Sequence, residues 1–191
     1  MLNEYLKFNP KYDFAIKLAI SLVLTCSLGP LEIKTPDIVP ITLQTLFLLF
    51  SSIAFGWQIG ALNAFLYILL GMAGFPVFSG YHGGHQLVYG PSGGFFFGFI
   101  GAALITGFFA EMPWAKKPYV QILIWFVGHA IVLALGAFWL KNFLPELWWE
   151  NIKNTLPGAA IKSAFGFMLI QLIIRFLAGR DQFYNTKQRA S

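Results

Sequence analysis

The apolar positions of this chain fall into six blocks separated by short polar pieces, the pattern of membrane-embedded helices. The blocks predict helices over residues 12–28, 40–55, 58–73, 93–111, 119–140 and 157–178. Pro40 suits a first helical turn, where its missing N–H costs nothing, and the sixth helix is taken to open at Pro157. Only Gly56 and Trp57 separate the second block from the third, which is short for a span. Between the third and fourth blocks lies a glycine-rich stretch, Gly74 to Gly94, containing VFSGYHGGHQLVYGPSGG. No internal repeat or low-complexity linker divides the chain. The expectation is an all-α integral membrane protein: one domain over residues 1–191, a compact bundle of six transmembrane helices.

Composition agrees. Hydrophobic residues make up 57% of the chain and charged residues 11%, whereas soluble domains carry about a quarter charged residues. The net charge of +5 does not point to nucleic acid, because the basic residues sit at the ends of apolar blocks, where anionic lipid headgroups lie. With six spans, Lys7, Lys11, Lys17, Lys116, Lys117, Arg175, Arg180, Lys187 and Arg189 gather on one side of the membrane. Lys34, Lys141 and Lys153 fall on the other. The positive-inside rule then makes both termini cytoplasmic and turns the glycine-rich loop outward. Trp148 and Trp149 would mark the outer boundary, Trp57 and Trp114 the inner one. The first block lacks a small-x-small cleavage pattern and is expected to serve as the targeting signal itself. Cys26 is the single cysteine and can form no internal disulfide.

Few residues in the spans could carry chemistry. Lys162 lies about 7 Å beyond Pro157 along the sixth helix, with no acid mid-span to pair with it. A lone cation at a helix centre costs about 2.5–3.5 kcal/mol on insertion scales. An anionic ligand would offset that cost; alternatively, the ammonium snorkels to the outer interface. Gly90-Pro91-Ser92-Gly93-Gly94 leads into the fourth helix, with Ser92 as a natural N-cap and glycines that let backbone N–H groups approach a ligand. A plain turn and cap is the simpler reading. Thr42, Gln44 and Thr45 are polar in an apolar run, and Asn63 and Tyr67 share one face of the third helix. Such groups need partners, either other helices or a ligand.

His82 and His85, in HGGH, raise the possibility of a membrane metalloenzyme. Zinc sites normally take three or four protein ligands, and only His129, on another helix, remains. Hydrogen bonding within the loop is the simpler role. Ala15 and Ala19 form a small-xxx-small pair on the first helix, suited either to internal packing or to docking of another membrane protein. No G-x-x-x-x-G-K-[ST] loop is present, and no buried acid suits proton coupling. Uphill transport by this chain would therefore draw its energy from a partner.

The series VPITLQTLFLLFSSIAFG, GALNAFLYILLGMAGFPVFSG and GPSGGFFFGFIGAAL, in that order, closely resembles the BioY family, the biotin-specific substrate-binding (S) components of energy-coupling factor (ECF) transporters. The likeness is dense from Val39 to Leu104 and returns at Leu156-Pro157-Gly158 and Lys162. It implies six helices in the bacterial cytoplasmic membrane and biotin captured from outside, under the loop before the fourth helix. It also implies docking onto a transmembrane T subunit that carries two ABC ATPases, with Ala15 and Ala19 at that contact. Lys162 is implied to touch the ligand directly, the carboxylate being its candidate partner. Gln44, Asn63, Tyr67 and Tyr89 are candidates for ureido hydrogen bonds or ring packing. Gly90, Gly93 and Gly94 would shape the wall, with His85 beside them.

One departure stands out. The family commonly reads PGDxxK here, whereas this chain has Pro157-Gly158-Ala159-Ala160-Ile161-Lys162. Ala159 replaces the acid, which implies altered affinity, a compensating partner such as His82 or His85, or a biotin-like ligand. The expected activity is binding and handover, with no catalytic residue, no metal and no cofactor. An S component for another small anionic vitamin or precursor is the alternative.

Overall fold

The structure, a computed structural model, describes residues 1–33 and 40–190, with side chains described as far as Arg180. Of the basic residues used for orientation, Lys34 and the side chains of Lys187 and Arg189 therefore lie outside the described residues, as does Val39.

Seven α-helices carry the described chain: α1 Asp13–Leu28, α2 Gln44–Phe55, α3 Trp57–Met72, α4 His85–Tyr89, α5 Gly93–Glu111, α6 Pro118–Phe143 and α7 Trp148–Ala190. Three are long and apolar enough to cross a membrane: α5, α6 and the Trp148–Arg180 part of α7. Together they make this a multi-pass membrane protein. The helices α1 and α3 have 16 residues each and α2 has 12. Sixteen residues rise about 24 Å, against a hydrocarbon core about 30 Å thick.

Two helix starts differ from expectation. Residues 40–43 do not join α2. Ile41–Thr42 (β2) instead pairs antiparallel with Glu32–Ile33 (β1), Ile33 opposite Ile41 and Glu32 opposite Thr42. The Leu43 N–H continues the ladder to the Leu31 carbonyl at 3.1 Å. Ile and Thr are β-branched and accept extended backbone readily, so helix begins only at Gln44. The second difference is at Pro157, which lies inside α7 instead of opening it. The real boundary comes earlier. Leu144 precedes Pro145, and a residue before proline is pushed out of the helical region; Leu144 sits at φ −137°, ψ 69° and ends α6. The chain re-enters helix at Trp148, and Pro157 removes one N–H from its interior.

Between α2 and α3 the chain reverses at Gly56 alone, whose φ of 96° favours glycine. The two helices then run antiparallel in close contact, because a Cβ on Gly60 would lie 2.4 Å from the Ser52 Cβ. Polar seams hold this hairpin to its neighbours. Asn63 Nδ2 donates to Thr25 Oγ1 of α1 and to Ser51 Oγ of α2, both at 3.0 Å. Ser52 Oγ donates to the Ala103 carbonyl of α5 and lies 3.1 Å from Thr106 Oγ1. The N-terminal 3-10 turn Leu2–Glu4 closes the far end of α2: the Met1 amine donates to the Ala54 carbonyl at 3.3 Å and Asn3 Nδ2 to that of Phe55 at 3.0 Å. Those carbonyls would otherwise lack partners at a helix C-terminus.

Close approach at Gly60 gives a test. Gly60→Val drives a branched side chain into the Ser52 backbone and should cost about 1–3 kcal/mol by overpacking, read as a clear fall in melting temperature in detergent. A Cβ on Gly179 would meet nothing within 4 Å. Gly179→Ala should therefore leave stability unchanged or raise it by up to about 1 kcal/mol.

Candidate functional site

One end of the bundle holds a cavity of about 140 Å³. Its walls come from the β2–α2 junction (Pro40, Ile41, Thr42, Gln44, Thr45), the glycine-rich loop (Phe78, Ser79, His82), Leu87 of α4, Ser92 with Phe95, Phe96 and Phe99 of α5, His129, Val132 and Leu133 of α6, and Thr155, Ala159 and Lys162 of α7. Apolar rings dominate, and a few polar groups converge among them, the composition of a small-molecule site.

The aromatic wall is preassembled. Phe78 and Phe96 lie 4.5 Å apart between ring centroids, Phe96 and Phe99 5.7 Å, and Phe78 and Tyr67 5.6 Å. Tilted and edge-to-face arrangements at these distances are the favoured ones for aromatic pairs.

Lys162 is the polar centre. Its Nζ donates to the Thr42 carbonyl at 3.0 Å and to Thr45 Oγ1 at 2.7 Å. The Thr42 carbonyl is available because β2, not helix, occupies that position. The ammonium is therefore drawn inward toward α2 and does not snorkel to the interface. It has three N–H donors, two of which these bonds use. Among the described residues no carboxylate lies within ion-pair distance of it.

Gln44 joins this set at one remove. Thr42 Oγ1 donates to Gln44 Oε1 at 3.0 Å, Gln44 Nε2 donates to Tyr67 Oη at 2.5 Å, and Tyr67 Oη donates to the Val77 carbonyl at 2.7 Å. This relay runs from the cavity mouth to the backbone of the loop. Tyr67, wholly buried, stands behind Gln44 and outside the lining set.

The remaining expected residues are placed differently. Asn63 is buried in the α1–α2–α3 seam, away from the cavity lining. Tyr89 is 64% exposed and does not line it. Gly93 and Gly94 are helix-crossing positions: Cβ atoms there would meet the Trp139 ring at 2.9 Å and the Trp139 Cβ at 2.2 Å. The Gly90 carbonyl accepts from Trp139 Nε1 at 2.9 Å, which fastens the loop to α6. Ser92 occupies the N-cap position of α5 without a side-chain cap hydrogen bond, and it lines the cavity instead. His85 opens α4, exposed and outside the lining. His82 does line it, with Nδ1 2.8 Å from the Ser79 carbonyl.

The loop is ordered by backbone contacts. The Phe78 N–H donates to the His82 carbonyl at 2.8 Å, that of Gly80 to Pro30 at 2.9 Å and that of Gly84 to Gly71 at 2.7 Å. Ser79 Oγ donates to Glu32 of β1.

The lining also includes His129 and three phenylalanines of α5, which lie outside the set expected from the sequence. His129 is 3% exposed and lines the cavity; an ionisable residue mid-span was the available signal. Phe95, Phe96 and Phe99 form one wall, and their i, i+4 spacing in FFFGF was readable as one helix face.

Comparison with known proteins gives a consistent result. A family model described as the BioY family matches residues 8–179. A biotin transporter BioY from Thermotoga maritima is 34% identical over 152 residues, 73% of this chain and 84% of that protein. The biotin transporter BioY2 of Lactococcus lactis subsp. cremoris is 33% identical over 174 residues, covering 86% and 94% of the two chains. A Rhizobium etli biotin transporter BioY is 35% identical over 165 residues, 81% and 85% of the two. The crystal structure of the S-component for biotin from an ECF-type ABC transporter superposes with a TM-score of 0.65 at 22% identity, covering 88% of this chain and 95% of that one. That likeness bears on the fold.

The relay through Tyr67 is testable without a ligand. Tyr67→Phe leaves the Val77 carbonyl and the Gln44 amide without their partner, and should destabilise by about 1–3 kcal/mol. It should also speed hydrogen exchange in residues 75–82 relative to α5 and α6.

Proposed function

The chain belongs to the BioY family, and we propose that it captures biotin at the outer face of the bacterial cytoplasmic membrane and imports it as the S component of an ECF-type ABC transporter. The observation that carries this reading is the Lys162 ammonium in the cavity, with one donor left over and no carboxylate beside it among the described residues. Biotin brings a carboxylate for that ammonium. It also brings an apolar bicyclic body suited to the wall of Phe78, Phe95, Phe96 and Phe99. Gln44 faces the same space and Tyr67 holds it in place.

Six crossings are proposed, α1, α2, α3, α5, α6 and α7, with α4 part of the outer loop. The lysine and arginine distribution supports cytoplasmic termini and an outward cavity. Ala15 and Ala19 are exposed on α1 while Ser21 and Thr25 of the same helix are buried, which supports the alanine face as the docking surface for a T subunit with two ABC ATPases. The chain carries no phosphate-binding loop of its own, so those ATPases supply the energy and this subunit binds and hands over. It is a carrier and not an enzyme. His82 turns its Nδ1 to the loop backbone and His85 lies exposed outside the lining, an arrangement that favours loop hydrogen bonding over the membrane metalloenzyme.

Ala159 favours keeping a second reading, another small anionic vitamin, because the acid expected three residues before Lys162 is missing. Biotin binding to the detergent-purified protein, measured by calorimetry, decides between the two. Loss of a charge-assisted hydrogen bond of about 1.5–3 kcal/mol means that Lys162→Ala should weaken biotin roughly ten- to hundredfold. Biotinamide, which lacks the carboxylate charge, should bind weakly to the native protein and hardly respond to the substitution. Equal biotin binding by native protein and variant would remove Lys162 from the site. No binding by folded native protein would transfer the cavity to another vitamin.

A further inference from the structure

One of the cavity-lining residues carries a buried polar atom with no partner. His129 Nδ1 lies 3.1 Å from the Trp125 carbonyl and 2.9 Å from Ser163 Oγ, while Nε2 is buried with no hydrogen-bond partner among the described residues. The tautomer follows from these contacts. A carbonyl only accepts, so Nδ1 carries the proton toward Trp125. Ser163 spends its own hydrogen on the Ala159 carbonyl at 2.9 Å and has a lone pair free for the same N–H. In so apolar a setting the ring is neutral, and a neutral imidazole protonated at Nδ1 presents Nε2 as an acceptor.

An acceptor at 3% exposure needs a donor, and the position is rigidly held. Trp125, wholly buried, stacks on the ring at 6.5 Å between centroids and 25° between planes. Bonds to α6 and α7 fix the other edge. Lys162 directly precedes Ser163 on α7 and lines the cavity as His129 does, so a donor-only ammonium and an acceptor-only nitrogen belong to residues of one cavity. Building on the biotin reading, we infer that His129 is a ligand-binding residue whose Nε2 accepts a hydrogen bond from a ureido N–H of biotin.

Elimination supports the assignment. Ionised biotin offers its carboxylate, ureido oxygen and thioether sulfur only as acceptors, which suit Lys162 and the hydroxyls. Its two ureido N–H groups are its only donors. A neutral Nε2 can therefore be satisfied by that head group and by no other part of the molecule. The same atom rejects an analogue without the N–H, because a buried polar group left unpaired discriminates strongly.

The test pairs a change in the protein with a change in the ligand, using the full chain in detergent. The ligands are biotin and two isosteric analogues, each with one ureido N–H replaced by CH2. On the native protein one analogue should bind roughly ten- to hundredfold more weakly than biotin. His129→Leu should weaken biotin by a similar factor and show no further loss with that analogue. Selective 15N labelling of the three histidines covers the case in which the variant does not fold: biotin should shift the unprotonated Nε2 resonance of the buried ring, and the sensitive analogue should not. Tight biotin binding with an unmoved Nε2 resonance, or with undiminished affinity in His129→Leu, would overturn the inference and leave the biotin reading intact. Native protein that binds no biotin would overturn both.

Discussion

The contact between Lys162 and the unwound segment ahead of α2 is the constraint on which the site depends. It joins residues 120 and 117 positions apart and brings the last long helix against the second. A cation in an apolar bundle must be hydrogen-bonded or paired, and here the described residues accept two of its three N–H donors and bring no carboxylate within ion-pair distance. One bond goes to a backbone carbonyl, and that bond exists only because Ile41–Thr42 pairs with Glu32–Ile33 and keeps the Thr42 carbonyl out of a helical ladder. The short β-pair thus shapes the polar edge of the cavity. It presents a backbone acceptor at a depth where irregular backbone survives only against protein or a cavity.

Around that contact the bundle divides its polar groups into two sets. Thr25, Ser51, Ser52, Thr106 and the Asn63 Nδ2 bond one another or nearby carbonyls along the α1–α3–α2–α5 seam, while Asn63 Oδ1 is left without a partner among the described residues. They hold helices together in a medium where burial alone gives little association. Thr42, Gln44, Thr45 and Lys162 line the cavity, Lys162 and the Gln44 amide each keeping an N–H in reserve, with Tyr67 tying Gln44 to the Val77 carbonyl of the loop. The glycines divide in the same way. Gly60 lets α2 and α3 touch, whereas Gly93 and Gly94 bring α5 under Trp139, which in turn holds the Gly90 carbonyl and so the loop.

Much of this was legible in the sequence because membrane burial writes long apolar blocks: the block at 93–111 coincides with α5 and that at 58–73 is within a residue of α3. Lys162 stood out as a cation with no acid on its helix face, and Gln44 and Tyr67 as polar groups on apolar faces. What periodicity could not tell was which polar residue faces a cavity and which a neighbouring helix. Asn63 and Tyr67 share a face, yet one turn separates a structural amide from a hydroxyl that supports the site. Tyr89 sits beside the motif in sequence but points outward, because α4 inserts a helical turn into a loop that carried no helix signal. The two prolines misled for opposite reasons. Pro40 precedes β-branched residues that pair as strand, and Pro157 is absorbed into a helix long enough to tolerate one missing hydrogen bond.

Ala159 draws these points together. It lines the cavity three residues before Lys162, on the same face of α7. A carboxylate there would stand beside the ammonium and meet much of its need for counter-charge from within the protein. With a methyl group in its place, Lys162 is left with neutral acceptors only among the described residues, which favours a counter-charge from a ligand in the proposed site. The acid would also have been an acceptor for ligand N–H groups, a capacity that α7 now lacks at this position. His129 supplies an acceptor from the facing helix, tied to α7 through Ser163, whose own hydrogen goes to the Ala159 carbonyl. In the proposed site, recognition that one helix could have performed with an acid and a lysine would be spread across α6 and α7. A ligand spanning the two would draw the helices together, so that occupancy is felt as packing between them.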